Sequence, residues 1–192
     1  MREILKLFII VTLFSAIAGL ALATVRDLTA EQIEIQENKY VRGPALDKIF
    51  EGCTNKPLED RFKVMNGEEE LNVFVGEIDG KKNTVAFENY GTGFGGKIGV
   101  MVAFDLDKDE IFGVSVTTHS ETPGLGSRAK TEPAFAGQFK GMSLDGVYKV
   151  KADGGDIDAL SGATVTSRGV SGAVEGSIEM YKKLKDEIIK KL

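Results

Sequence analysis

The sequence has no tryptophan, a single histidine (His119) and a single cysteine (Cys53). One cysteine rules out an internal disulfide, and one histidine with one cysteine leaves no cluster at metal-ligand spacing. Basic charge is also in deficit, with a net charge of −5 and a pI near 5.1. A broad nucleic-acid surface needs clustered excess Lys and Arg, so nucleic acid is not expected as a partner. The G-x-S-x-G elbow is missing, which argues against a hydrolase built from Ser120, His119 and Glu121. Gly91-Thr92-Gly93-Phe94-Gly95-Gly96 superficially suggests a phosphate loop. It matches neither G-x-x-x-x-G-K-[ST] nor a dinucleotide fingerprint, so a turn or a close packing surface is its expected use. Internal repeats and low-complexity tracts are absent as well.

What is present begins with a long apolar run. Leu7–Val25, LFIIVTLFSAIAGLALATV, carries no charge over 19 residues. As a helix it would reach about 28 Å, close to the hydrocarbon thickness of a bilayer. Arg2 and Lys6 precede it against Glu3 alone, so the N-terminus is expected in the cytoplasm and the rest of the chain outside. Ala21-Leu22-Ala23 is an A-x-A-like site, which keeps a cleaved signal peptide open as the alternative. The run is longer than the usual 7–15-residue signal core, and this favours an uncleaved single-pass anchor in the cytoplasmic membrane. No cysteine follows the run at the position of a lipoprotein acceptor. The expected organisation is an anchor at 1–25, a polar helix-compatible stalk at 26–40 and one folded domain at 41–192.

Within that domain, Gly43-Pro44 reads as a break and Ala45–Glu51 as a short helix ending at Gly52. Leu71, Val73, Val75 and Ile78 predict a strand closed by Asp79-Gly80, with Thr84–Phe87 as its hairpin partner. The apolar runs Ile98–Phe104 and Ile111–Thr117 predict two more strands joined through Asp105–Asp109. Val147–Lys151 alternates like another strand, and Arg128–Phe139 reads as a helix interrupted at Pro133. Val170, Val174, Ile178, Tyr181, Leu184 and Ile188 recur at helical spacing and predict a long terminal helix. Its closing lysines suit the negative end of the helix dipole. These elements predict an α+β domain with an antiparallel sheet flanked by helices.

Two segments could carry chemistry. Leu160-Ser161-Gly162-Ala163-Thr164-Val165-Thr166-Ser167 leads into the terminal helix. Gly162 permits positive φ or close backbone approach, and Thr166 or Ser167 could cap the helix. A helix N-terminus also offers unpaired N–H groups to a phosphate. Simple capping by these hydroxyls is the commoner use of such residues, since Ser/Thr clusters before helices are commonplace. The second segment is Thr117-Thr118-His119-Ser120-Glu121-Thr122-Pro123-Gly124-Leu125-Gly126. Pro123-Gly124 gives a rigid bend, Gly126 permits another reversal, and Leu125 with backbone N–H groups could meet a planar ligand. An ordinary turn with a solvated histidine accounts for it too.

Together these segments resemble a known family. Ser161-Gly162-Ala163-Thr164, with Asp158 three residues before Ser161 and Thr166-Ser167 after it, looks like the flavinylation motif of FMN-binding domains. Ser120-Glu121-Thr122-Pro123-Gly124-Leu125-Gly126 resembles the loop that lies beside the flavin there, and Gly93–Val102 (GFGGKIGVMV) fits the strand after a Gly-rich turn. His119 and the modest length favour the branch that serves as the G-type member of Rnf-type ion-translocating electron-transport complexes. The resemblance implies FMN joined through its phosphate to Thr164 by a flavin transferase, with Thr166 as the alternative acceptor. It implies that Glu121, Thr122, Gly124 and Leu125 lie at the ring, and that Ser161, Gly162, Ala163, Thr166 and Ser167 lie around the phosphate or cap the helix. It further implies an electron-carrier role, with other integral membrane and redox subunits of the complex as partners.

Overall fold

The structure, a computed structural model, describes residues 1–67 and 69–192, which form two compact units, Met1–Lys39 and Tyr40–Leu192. The first is helix α1, Arg2–Glu37, none of whose residues is buried. Leu7, Phe8, Ile9, Ile10, Phe14 and Leu20 all expose more than half their surface. α1 starts the one helical stretch long and apolar enough to cross a membrane among the described residues. The polar segment expected as a stalk continues α1 without interruption to Glu37. Gly43-Pro44 does not break the chain but opens helix α2, Gly43–Ile49, after a π-helical turn at Asn38–Arg42. Pro44 stands among the first positions of α2, where proline is tolerated.

The second unit is built on five antiparallel strands in simple sequence order. They are β1 (Arg61–Asn66), β2 (Glu69–Ile78), β3 (Lys81–Thr92), β4 (Lys97–Asp105) and β5 (Glu110–Val116). Asp79 and Gly80 both take positive φ, 53° and 74°, and Ile78 pairs with Lys81 across them. That is the two-residue turn whose twist matches adjoining antiparallel strands. At the β4–β5 turn, Asp105 Oδ1 accepts hydrogen bonds from the N–H groups of Asp107 and Lys108. β4 is buried on both faces from Ile98 to Asp105, which explains its continuous apolar run.

One face of the sheet packs under helix α5, Thr164–Lys191. Tyr181 stacks on Phe104 at 4.5 Å between ring centroids, and Phe104 lies 5.3 Å from Phe87. The opposite face, with Phe74, Ala86, Met101 and Ala103, is covered by Leu46, Ile49 and Phe50 of α2 and the turn after it. Two short helices, α3 (Arg128–Thr131) and α4 (Pro133–Gly137), follow β5, divided where Pro133 predicted an interruption.

The segment Val147–Lys151 is not a strand. Val150 forms one isolated parallel bridge with Ile157, and Lys151–Asp153 is a 3-10 turn. Tyr148 and Val150 are buried while Val147 is half exposed, so the alternation records an extended segment lying on the core without a ladder partner.

Burial holds the phenol of Tyr181 well above its ordinary 10.0, with the negative charges of Asp109 and Asp105 adding to the effect. Tyr90 and Tyr148 are raised too, again chiefly by burial. A folded-state value raised above the unfolded one gives stability that is complete below about pH 10 and lost as pH climbs toward the folded value. Thermal midpoints are therefore expected to fall above about pH 10, and less steeply in Tyr181→Phe. An identical alkaline slope in that variant would exclude Tyr181 as a source.

Candidate functional site

Three segments distant in sequence meet beside the start of α5. They are the Gly93–Gly96 turn between β3 and β4, the Glu121–Gly126 loop after β5, and Gly162–Thr166. Between them lies a cavity of about 430 Å³, lined by Phe94, Glu121, Thr122, Leu125, Gly126, Gly162, Ala163, Thr164, Val165 and Thr166. Ligand cavities for small molecules begin at roughly 300 Å³.

The loop is shaped by Thr122-Pro123-Gly124-Leu125. Leu125 N–H donates to Thr122 O, and Gly124 has φ 75°, as a Pro-Gly turn of type II requires. The turn leaves Leu125 exposed at the cavity mouth beside exposed Phe94 and Val165. Gly126 does not reverse the chain by positive φ as expected. A Cβ there would stand 2.4 Å from Glu121 Oε2 and 2.6 Å from Thr166 Oγ1, so glycine is required by space. The Gly-rich turn is likewise a packing surface: a Cβ on Gly93 would lie 2.3 Å from Glu121 Oε1, and one on Gly95 2.1 Å from Ser120 O.

Glu121 is the centre of this contact. Its side chain is buried; Oε1 accepts from Gly95 N–H at 2.8 Å and Oε2 accepts from the Thr166 hydroxyl. Its backbone N–H donates to His119 Nδ1 at 3.2 Å.

The hydroxyls of the motif divide sharply. Thr166 is 1% exposed and committed to Glu121, and Ser167 is fully buried. Ser167 Oγ donates to Ala163 O and accepts from Leu160 N–H, both at 3.0 Å. Neither caps the helix, contrary to the expectation. α5 begins two residues before Thr166, at Thr164, with Ala163 as its unassisted cap, so both hydroxyls fall inside the first turns. Ser161 is exposed but faces a neighbouring cleft with Arg128, Gln138 and Asp158. Thr164 is half-buried, lines the cavity, and its hydroxyl bonds to no described residue. No side chain caps α5, so the N–H groups of its first turn remain available to an anion.

Of the residues expected at the site, the structure therefore brings Thr164, Gly162, Ala163, Thr166, Glu121, Thr122 and Leu125 to one cavity, and leaves Ser161, Ser167 and Gly124 outside its lining. Sequence reasoning missed Phe94 and Val165. The only available signal for Phe94 was a lone aromatic in a glycine turn; Val165 stood unremarked inside the motif. Cys53 lies apart, on the α2 side of the sheet, and burial pushes its thiol up, away from the reactive thiolate.

An apolar mouth, an uncapped helix start and an unpaired hydroxyl suit a planar ligand bearing a phosphate. The FMN-binding domain profile matches residues 93–179, a span that contains all three segments. The G-type member of the ion-translocating oxidoreductase complex of Cereibacter sphaeroides is 31% identical over 92% of this chain and 84% of its own. Its counterpart in the Na(+)-translocating ferredoxin:NAD(+) oxidoreductase complex of Acetobacterium woodii is 31% identical, over 95% of this chain and 94% of its own. The chain belongs to this G-type family of ion-translocating oxidoreductase subunits. Among solved structures, the C-type member of the Na(+)-translocating NADH-quinone reductase of Parabacteroides distasonis superposes with a TM-score of 0.52 at 31% identity, covering 60% of this chain and 63% of that one. Shewanella oneidensis NqrC gives 0.50 at 30% identity, over 67% and 66%. The fold is thus shared between the G-type family and these C-type proteins, α+β with one antiparallel sheet.

Proposed function

We propose that this chain is the membrane-anchored electron-transfer subunit of an Rnf-type ion-translocating oxidoreductase complex, carrying FMN bound through its phosphate to Thr164. The observation that carries the attachment site is the division of hydroxyls. Thr164 alone in the motif lines the cavity with an unpaired oxygen, while Thr166, the alternative acceptor, is buried and committed to Glu121. Family membership and the FMN-binding profile support the flavin itself.

Bound FMN would supply reversible electron uptake, which amino-acid side chains do not offer. The protein's part is to hold and shield. The N–H groups of Thr164, Val165 and Thr166 in the uncapped first turn of α5 would hold the phosphate, since the positive end of a helix favours negative charge. Thr166 and Ser167 contribute no free hydroxyl to that phosphate; they keep the helix start in place. Leu125, Phe94 and Val165 would provide apolar contact for a ring near the surface, with Thr122 in the same lining. Gly124 acts through the turn that presents Leu125. An ester to Thr164 prevents loss of the carrier between turnovers.

On this reading residues 1–25 anchor the chain in the cytoplasmic membrane with the N-terminus inside, 26–40 form the stalk, and 41–192 form the flavin domain outside. The partners are the other integral membrane and redox subunits, plus a flavin transferase for maturation. Trypsin would release Ala152–Arg168 as one peptide, bounded by Lys151 and Arg168. In protein from native membranes its mass is expected to rise by FMN less one water, with fragment ions placing the group on Thr164. An unmodified peptide, or a group on Thr166, sinks the assignment.

A further inference from the structure

We propose that the carboxylate of Glu121 sets the redox potential of the flavin site by placing an uncompensated negative charge on its wall; this rests on the flavin reading above. Glu121 lines the cavity and is 6% exposed. Both oxygens accept hydrogen bonds, from Gly95 N–H and from the Thr166 hydroxyl, the arrangement of an ionised carboxylate. Among the described residues no Lys, Arg or His forms an ion pair with it, and His119 meets only its backbone N–H. Through Thr166 it meets the first turn of α5, whose positive end is equivalent to about half a unit charge.

The contacts alone do not call for a charge. Glutamine has the same reach: its carbonyl could accept from Gly95 N–H while its amide donated to Thr166 Oγ1. It would do so without the cost of burying a carboxylate. What glutamate adds over glutamine is a negative charge that is itself buried in the cavity wall, where charges interact more strongly than in bulk water. Each electron placed on a ring in that cavity without a proton adds negative charge next to negative charge. Electron uptake is thereby made harder and electron release easier, which suits a carrier that hands electrons onward. The packing around Glu121 also holds its carboxylate in one place on the cavity wall, since Gly93 and Gly126 close against its two oxygens.

The test is a spectroelectrochemical titration of the full flavinylated chain, with dithionite as electron donor and ferricyanide as acceptor. Glu121→Gln is expected to shift the midpoint potential to more positive values, while Glu121→Asp, which keeps the charge, stays nearer the wild type. A Gln midpoint that is unmoved or more negative overturns the proposal, as does an Asp shift as large as that of Gln. If Glu121→Gln does not fold, Thr166→Val serves: it strips a hydrogen-bond donor from the carboxylate and leaves its charge less screened. The midpoint should then fall, and a rise overturns the proposal. Flavin fluorescence of the denatured wild-type chain separates the two levels. A colourless chain overturns the flavin reading with this one, whereas fluorescent chains with an unmoved midpoint overturn Glu121 alone.

Discussion

Thr164→Val is expected to abolish covalent flavin and leave the domain folded. Threonine and valine have nearly the same shape, and the position is half-buried at the first residue of α5, where the hydroxyl has no partner among the described residues. Removing an unpaired hydroxyl leaves no buried group unsatisfied, so stability should change by no more than about 0.5 kcal/mol. Attachment as proposed, by contrast, needs the oxygen itself, and no neighbouring hydroxyl is placed to replace it. Thr166 is turned into the Glu121 contact and Ser167 is fully buried, while Ser161 opens onto a different cleft. In-gel fluorescence after denaturation, with a flavin transferase coexpressed, reads the result directly. A band of wild-type intensity in the variant would mean that another hydroxyl is the acceptor.

The second large effect is expected at a glycine outside the cavity lining. Gly91→Ala should cost about 3 kcal/mol, at the top of the usual range for an added core carbon. A Cβ on Gly91 would stand 1.9 Å from the carbonyl oxygen of Gly169 and 2.7 Å from its carbon. Both obstacles are backbone, so no side-chain rotation relieves them and β3 must separate from α5. Gly169 is bound to the same constraint from the other side, since its own Cβ would meet Thr92 O at 2.6 Å. This contact sets how closely the start of α5, and with it Thr164, approaches the Gly-rich turn. Gly172→Ala is the matched control in the same helix: its Cβ would meet nothing within 4 Å. There the alanine should stabilise by about 0.5–1 kcal/mol through helix propensity. Chemical denaturation of the two variants checks the pair. A loss below about 1 kcal/mol in Gly91→Ala would show that the sheet and helix can part more easily than backbone contact allows.

Much of the architecture was legible in the chain. Period-two residues in β2, continuous apolar runs in β4 and β5, and the helical stripe of α5 each reflect burial on one face or two, and burial leaves a pattern. β1 escaped notice because only Val64 is buried in Arg61–Asn66, too little to mark a strand at the edge of the sheet. Val147–Lys151 misled for the opposite reason: its alternation is real, but strand character also needs a neighbouring edge to pair with. The polar residues after Val25 carried no sign of how far α1 would run, since helix-compatible residues continue without a stop signal.

At the site, the local chain determined the order of the motifs, the turn at Pro123-Gly124 and the left-handed Gly162, because these depend on residues next to one another. It also determined the apolar N-terminal run and the likeness to FMN-binding domains. Which hydroxyl faces the cavity was decided only in three dimensions. The exact start of α5 sets the phase by which Thr164 points outward and Thr166 inward. Glu121, 45 residues earlier in the chain, then takes the inward one as a hydrogen-bond donor. Gly93 and Gly126 became necessary for the same reason, because a buried carboxylate between three loops leaves no room for a side chain. A hydroxyl's availability depends on what else needs its proton, and that competitor is brought near by the fold, not by sequence spacing.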